Sequence, residues 1–138
     1  SASQLSPRML EILAFEPARR IISELSDTSV PIIYFAPGAA ASLSEMNNIG
    51  ADVIGIDWRI GLDTARAVLG DKTAVQGNLD PAALLGCKET LKWETLRILK
   101  KNNGRPGHIF NLGHGIAPET PISNVEFLVE LVKNGVAL

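Results

Sequence analysis

Residues 108–119, HIFNLGHGIAPE, join a short apolar run to a histidine that stands between two glycines. The run at 109–112 is too short for a helix and predicts a strand. Gly113 and Gly115 give the backbone on either side of His114 unusual conformational freedom, so a bent loop is expected directly after the strand. The sequence therefore predicts a titratable ring at a strand end, where α/β proteins carry their chemistry.

The helix that follows this loop has recognisable start and stop signals. Pro118 and Pro121 keep the chain out of helix until residues 123–126, SNVE, which have the pattern of a capping box. We expect an amphipathic helix from there to Gly135, because a glycine commonly ends a helix.

Strand and helix patterns also alternate upstream of this stretch. Apolar runs of strand length occupy residues 30–36, 53–58 and 73–76, and helical patterns occupy residues 62–69 and 88–101. The runs are continuously apolar rather than alternating, which predicts strands buried on both faces. No hairpin signal joins two strands, so the repeated strand–helix units predict an α/β protein with about four parallel strands.

Local signals predict where several helices begin. Ser6 and Asp80 each precede a proline, the pattern of an N-cap followed by the first helical residue. Residues 42–45, SLSE, form a second capping box. Pro17 interrupts the first helical pattern and should kink or split that helix.

Polar residues at the strand ends decide between two kinds of parallel sheet. Residues 38–41, GAAA, lack the glycine fingerprint of a doubly wound dinucleotide-binding fold. Residues 57–59, 76–78 and 111–114 instead place polar groups after successive strands, as in a (β/α)8 TIM barrel. Four strands are half of what a closed barrel needs. We therefore predict the second, C-terminal half of a barrel, with residues 1–138 as a single partial domain of a longer protein.

Composition excludes several classes of function. The 138 residues carry 13 Lys and Arg against 15 Asp and Glu, and this balance does not favour nucleic-acid binding. The single cysteine, Cys87, excludes an intramolecular disulfide and fits a reducing compartment. There is no signal-peptide pattern and no apolar run of membrane-spanning length. We expect a cytoplasmic protein that binds neither nucleic acid nor membranes.

Three motifs occur in order at the ends of apolar runs: GIDW at 55–58, QGNLDP at 76–81 and FNLGHG at 110–115. Together they resemble the C-terminal half of the uroporphyrinogen decarboxylase family, and the resemblance covers essentially the whole chain. Ile56 stands where the family commonly has leucine, which is a nearly isosteric exchange.

The resemblance implies a (β/α)8 barrel enzyme that works without a cofactor or metal and is usually a homodimer. The implied reaction is decarboxylation of the four acetate side chains of uroporphyrinogen III, giving coproporphyrinogen III in porphyrin and haem biosynthesis. Protonation of a pyrrole carbon makes a cationic ring that accepts the electrons released as carbon dioxide leaves. The enzyme must stabilise that cation and deliver protons.

Only part of the family's site carries over to this sequence. His114 matches the family histidine that contacts the substrate or its carboxylates. The family's Arg-Gln-Ala-Gly-Arg loop, its pyrrole-facing aspartate and its tyrosine do not occur here, and its hydroxyl residue aligns just before Ser1. We therefore expect the isolated chain to be inactive as a decarboxylase.

Other polar residues have plainer interpretations. Asp57, Arg59 and Asn78 form a secondary site in our hypothesis, although Asp57 could brace loops and Asn78 could fix the turn at Gly77. His108 begins its strand and is expected to be a surface residue at the stability face of a barrel.

Three rival functions remain open at the level of sequence. Relatives of this fold include methyltransferases that bind zinc through His and Cys, but Cys87 lies on a helix and His114 has no partner histidine or cysteine here. A non-catalytic half-barrel that serves as an interaction module is the second rival, because its open sheet edges would need covering by a partner. A phosphate-binding barrel enzyme is the third, because Gly77, Gly113 and Gly115 follow late strands, where barrels often hold phosphate.

Overall fold

The computed structural model describes residues 2–25, 27 and 29–134. Within these ranges the strands are β1 (Ile33–Phe35), β2 (Val53–Gly55), β3 (Ala74–Leu79) and β4 (His108–Leu112). They form one parallel sheet in the order β1-β2-β3-β4. Each strand lies beside the previous one and the order never reverses, so the chain winds in one direction as a barrel does. The predicted half-barrel of four parallel strands is confirmed.

The strand boundaries differ from those that the sequence predicted. β1 and β2 are shorter than the apolar runs at 30–36 and 53–58, and the chain after β2 enters a turn at Trp58. β3 extends three residues beyond the predicted 73–76 and includes Gly77 and Asn78. Two motif residues that were expected in a loop therefore lie in the sheet.

Helices alternate with the strands. The first helical segment comprises α1 (Pro7–Leu10), a π-helical turn (Glu11–Phe15) and α2 (Glu16–Glu24). The later helices are α3 (Leu43–Asn47), α4 (Leu62–Leu69), α5 (Lys88–Asn102) and α6 (Ile122–Lys133). Short 3-10 turns occupy Ala2–Gln4, Ala40–Ser42 and Pro81–Leu85. No helix of the described residues is both long and apolar enough to span a lipid bilayer.

The hydrophobic core lies between the helices and one face of the sheet. Ile54 of β2 pairs in register with Val75 of β3, so their side chains share that face. From the helices, Phe15, Met46 and Leu91 join the same buried cluster and are almost completely inaccessible. Burial of each such side chain contributes roughly 1.5–3 kcal/mol.

The opposite face of the sheet, which would line the interior of a closed barrel, is partly open. Ile33, Phe35 and Ile109 remain 46%, 41% and 43% exposed. The prediction of strands buried on both faces is correct for β2 but wrong for β1. In a barrel these side chains meet those of strands across the interior, and the described residues supply only one side of it.

The first helical segment begins as predicted but passes Pro17 differently. The Ser6 hydroxyl accepts a hydrogen bond from the Met9 N–H at 3.3 Å, and Pro7 is the first helical residue. Pro17 does not split the helical segment; it lies at the second position of α2, directly after the π-helical turn, at whose end the Glu16 N–H bonds five residues back to the Glu11 carbonyl. The regular helix is interrupted one turn earlier, by the π-helical turn.

Both capping boxes predicted from the sequence are wrong. Ser42 ends a 3-10 turn before α3 and makes no capping hydrogen bond. Helix α6 begins at Ile122, with Pro121 in extended backbone at its cap, so Ser123 already lies inside the helix. The predicted helix end at Gly135 lies outside the described residues. By contrast, Asp80 caps its turn as predicted, because its carboxylate accepts the Ala82 N–H at 2.9 Å.

Candidate active site

A cavity of about 390 Å³ opens at the carboxyl-terminal side of the sheet. Side chains or backbone from all four strands or the residues directly after them line it, and they include Phe35, Gly55, Gln76, Asn111 and His114. Among the described residues that line this cavity none is acidic. The exposed imidazole of His114 lies at its rim. Polar side chains of β3, β4 and the loop after β4 therefore face a common opening, to which His114 contributes a titratable ring.

Gly113 fixes the path of the loop that carries His114. Its N–H donates to the Leu79 carbonyl at 2.7 Å. A Cβ atom added to Gly113 would come within 2.5 Å of the Trp58 backbone nitrogen, so a side chain does not fit there. A Cβ atom on Gly115 would meet nothing within 4 Å. The glycine before His114 is thus required by close packing against the β2 loop.

His114 lines the cavity and contacts Trp58, which also contacts Arg59; we refer to Trp58, Arg59 and His114 as the indole cluster. The ring centroids of Trp58 and His114 are 6.0 Å apart and their planes are nearly perpendicular at 89°, which is a favoured aromatic geometry. The guanidinium carbon of Arg59 lies 4.2 Å from the Trp58 ring centroid, within the range of a cation–π contact. The sequence interpretation assigned Trp58 no role, since nothing local indicated its contact with a residue far along the chain.

The carboxylate of Asp57 is buried and holds two loops together. One oxygen, Oδ2, accepts the Gly38 N–H at 2.7 Å, and the other accepts the Arg59 N–H at 2.9 Å. The Arg59 guanidinium lies 3.3 Å from Oδ2. Asp57 does not line the main cavity, so its contacts fit the bracing role weighed in the sequence analysis.

The amide of Asn78 is also engaged with backbone. Its side-chain nitrogen donates to the carbonyls of Asp57 and Ile60, at 3.0 and 2.7 Å, and the residue is buried. Asn78 therefore fixes the loop after β2 and does not line the main cavity. Of the predicted site residues, only His114 lines the main cavity; Arg59 shares the contact with Trp58, and Asp57 and Asn78 hold the loop after β2.

The sequence interpretation missed two polar residues of the cavity, Gln76 and Asn111. Both belonged to motifs, but neither was chosen as a site residue. Strand register could have indicated them, because Asn111 pairs with Asn78 and Gln76 lies two residues before Asn78. Side chains two positions apart on a strand share a face.

His108 is not the surface residue that was expected. Its Nε2 atom lies 2.7 Å from the Gly77 carbonyl oxygen, and the ring is partly buried on the helix side of β3 and β4. The carbonyl can only accept, so Nε2 carries a proton. Burial lowers the pKa of His108, the hydrogen bond to Gly77 opposes this shift, and the charge of Arg66 lowers the pKa further. The prediction was wrong because the ring reaches along the neighbouring strand to Gly77, two residues beyond its register partner Val75.

Metal ligands are not grouped in the part of the chain that the structure describes. No three His, Cys, Asp or Glu residues there lie close enough together to hold a metal ion. Cys87 is exposed at the start of α5, with its sulfur 3.3 Å from the Thr90 hydroxyl oxygen, and it does not line the cavity that contains His114.

Comparisons with known proteins agree with the motifs that converge on this cavity. The sequence model of the family described as Uroporphyrinogen decarboxylase (URO-D) matches residues 1–135. The chain belongs to the uroporphyrinogen decarboxylase family.

Curated relatives support the same family. Proteins named uroporphyrinogen decarboxylase are 48% identical over 128 residues in Syntrophotalea carbinolica and 51% identical over 114 residues in Thermus thermophilus. The matches cover 93% and 83% of this chain but only 37% and 33% of the relatives. The chain therefore spans little more than a third of the length of these uroporphyrinogen decarboxylases.

A solved structure supports the fold. A methyltransferase from Methanosarcina mazei superimposes with a TM-score of 0.76 over 91% of this chain and 36% of that protein, at 24% sequence identity. At this identity the similarity establishes the shared architecture alone. The uroporphyrinogen decarboxylase motifs at 55–58, 76–81 and 110–115 lie on or directly after the adjacent strands β2, β3 and β4.

Proposed function

We propose that residues 1–138 are a single partial domain, the C-terminal portion of a uroporphyrinogen decarboxylase. The intact enzyme would convert uroporphyrinogen III to coproporphyrinogen III by removing carbon dioxide from its four acetate side chains. The observation that carries this proposal is the family match over residues 1–135, together with three family motifs that meet at one cavity.

The polar lining of the cavity supports a substrate that is rich in carboxylates. His114 is exposed at the rim, and each of its ring nitrogens can carry a hydrogen-bond donor. Gln76 and Asn111 add side-chain amides that can donate N–H groups to a carboxylate. Since no described lining residue is acidic, a bound carboxylate meets no like charge there. We propose that His114 binds a carboxylate of the substrate.

The proposed chemistry needs an electron sink, and the substrate can supply it. A proton added to a pyrrole carbon makes the ring cationic, the bond to the carboxylate carbon breaks, and its electron pair enters the ring. A second proton then replaces the lost carbon dioxide on the side chain, and the ring carbon gives up the proton added first, which restores the neutral pyrrole. The motifs that the family uses for the cation and for proton delivery do not occur in this sequence, so we propose a substrate-binding contribution from this chain.

The secondary site divides into two proposed roles. Arg59, whose side chain is 51% exposed, is proposed to contact the substrate directly. Asp57 and Asn78 are proposed to act indirectly, because their polar atoms hold the loop that carries Arg59. The intact enzyme is further proposed to be a cytoplasmic homodimer, as the family resemblance implies. Light scattering after size-exclusion chromatography would measure its mass.

A hybrid enzyme tests the proposed function. In the uroporphyrinogen decarboxylase of Syntrophotalea carbinolica, the segment matched by this chain is replaced with the corresponding residues of this chain. The porphyrinogens formed from uroporphyrinogen III are then oxidised to porphyrins and separated by their number of carboxylates. We expect the hybrid to produce coproporphyrinogen III and the isolated chain to produce none.

Two further proteins make the result decisive. The unmodified relative serves as the positive control, and a hybrid with His114→Ala should keep its thermal stability while the KM for uroporphyrinogen rises. A folded hybrid that forms no product, beside an active parent, would contradict the proposed function. Wild-type kinetics of the His114→Ala hybrid would contradict the role of His114.

A further inference from the structure

The orientation of His114 depends on few contacts. Its imidazole has no hydrogen-bond partner among residues 2–25, 27 and 29–134, although it stands at the rim of the cavity. A Cβ atom added to Gly115 would meet nothing within 4 Å, so the residue after His114 is not closely packed on that side. Among the described residues, the ring contacts Trp58 in a perpendicular arrangement at a centroid distance of 6.0 Å.

Arg59 approaches the same indole and is itself held in place. Its backbone N–H and its Nη1 atom both contact the Asp57 carboxylate, and its guanidinium carbon lies 4.2 Å from the Trp58 ring centroid. The other N–H groups of the guanidinium have no hydrogen-bond partner among the described residues. A planar group that is stacked on an aromatic ring keeps its edge free for carboxylate binding.

Trp58 is fixed more firmly than either of its partners. Its backbone is pressed against Gly113, and the carbonyl of the preceding residue, Asp57, accepts a hydrogen bond from Asn78. On another side the indole borders a separate cavity of about 300 Å³ between the β2 loop and α5. The indole can therefore serve as a platform whose position is set by the sheet.

We propose that Trp58 is a positioning residue that holds His114 and Arg59 on one indole ring, so that both side chains bind carboxylates of the same substrate molecule. This inference rests on the proposed function and adds a determinant of substrate affinity. It predicts that the effects of Trp58 and His114 on substrate binding are not independent, because one residue acts through the other.

The test uses the hybrid enzyme described above, with kinetics on uroporphyrinogen III. Trp58→Leu removes the aromatic platform and should raise KM about tenfold with little change in kcat, because anchoring carboxylates are remote from the bond that breaks. Trp58→Phe keeps an aromatic face and should restore most of the affinity, with KM raised about threefold at most. Thermal unfolding of each variant shows whether it is folded.

A double variant and a matched control separate positioning from general damage. Adding His114→Ala to Trp58→Leu should raise KM by no more than about a further twofold, since His114 is already misplaced. The control is Trp93→Leu on α5, because Trp93 is 61% exposed and also lies beside an arginine, Arg97, but does not line the cavity that contains His114. Its KM should equal that of the unsubstituted hybrid.

Each remaining outcome would overturn the inference. Unchanged KM in Trp58→Leu, or effects of Trp58→Leu and His114→Ala that simply multiply, would exclude the positioning role while leaving the proposed function intact. An equal loss in Trp58→Phe and Trp58→Leu would show that an aromatic platform is not what matters. An inactive unsubstituted hybrid would remove the proposed function and this inference with it.

Discussion

Gly113 lies so close to Trp58 that a Cβ atom added to the glycine would be 2.5 Å from the Trp58 backbone nitrogen and 3.0 Å from the carbonyl carbon of Asp57. Backbone atoms cannot move aside as a flexible side chain can. The contact therefore couples the loop after β4, which carries His114, to the loop after β2, which carries the indole cluster.

Gly113→Ala should separate these two loops. We expect the free energy of unfolding to fall by roughly 1–3 kcal/mol, as for other overpacked sites, in urea titrations followed by circular dichroism. Gly115→Ala is the matched control, because its Cβ atom would meet nothing within 4 Å. Equal stability of the two variants would show that the close approach is not maintained in solution.

Asp57→Asn should destabilise the protein, while the residues that line the main cavity stay the same. Asparagine keeps one acceptor oxygen, so either the Gly38 or the Arg59 N–H loses its buried partner, at a cost of about 1–3 kcal/mol. Asp63→Asn removes an exposed ion pair with Lys101 instead and should cost less than about 1 kcal/mol. Chemical denaturation of both variants measures the difference, and a larger loss in Asp63→Asn would refute the bracing role.

The stability of the fold should depend on the protonation of His108. Burial, the main cause, lowers its pKa in the folded state below the ordinary value of about 6.5. The unfolded chain then binds the proton more readily than the folded chain, so stability is fully present above about pH 6.5 and declines as the pH falls. His108→Gln keeps an N–H donor but cannot titrate, and its melting temperature should decline less between pH 8 and pH 5. Parallel pH profiles of both proteins would disprove this assignment.

Substitutions of two serines test whether a helix begins where the structure shows it or where the capping-box pattern predicted it. Ser6→Ala removes the hydroxyl that caps α1 and should cost roughly 0.5–2 kcal/mol. Ser123→Ala should change the free energy of unfolding by less than about 0.5 kcal/mol, since Ser123 is an exposed residue inside α6. If Ser123→Ala were the more costly of the two, α6 would begin where the capping-box pattern placed it.

Features that depend on neighbouring residues could be predicted well. The span of α4 and the cap at Asp80 follow from local apolar spacing and from turn chemistry, and both occur as predicted. Helix α5 ends at Asn102, one residue beyond the predicted 88–101. The predicted start of α6 was wrong because Pro121, with its extended backbone, is the N-cap and Ile122 is already the first helical residue. Asn124, inside that first turn, bonds instead to the carbonyls of Leu84 and Gly86, which lie far along the chain.

Features that depend on distant residues could not be predicted. Periodicity does not tell whether Ile33 and Phe35 are covered, because that depends on the strands across the interior. His114 could be placed at a strand end, but its contact with Trp58 arises only when β2 and β4 are arranged around β3. The role of His108 was missed for a similar reason, since its partner Gly77 belongs to the adjacent strand.

Phe35 and Gly55 are register partners and both line the cavity. A Cβ atom on Gly55 would lie 2.7 Å from Cδ2 of Phe35, so the aromatic ring occupies the space that a side chain on β2 would take. Any larger residue at position 55 would displace the Phe35 ring and change the space available to a bound molecule. The size of the cavity thus depends on the absence of a side chain at Gly55. A single substitution there would change the size of molecule that fits, although the loops around the cavity would keep their sequence.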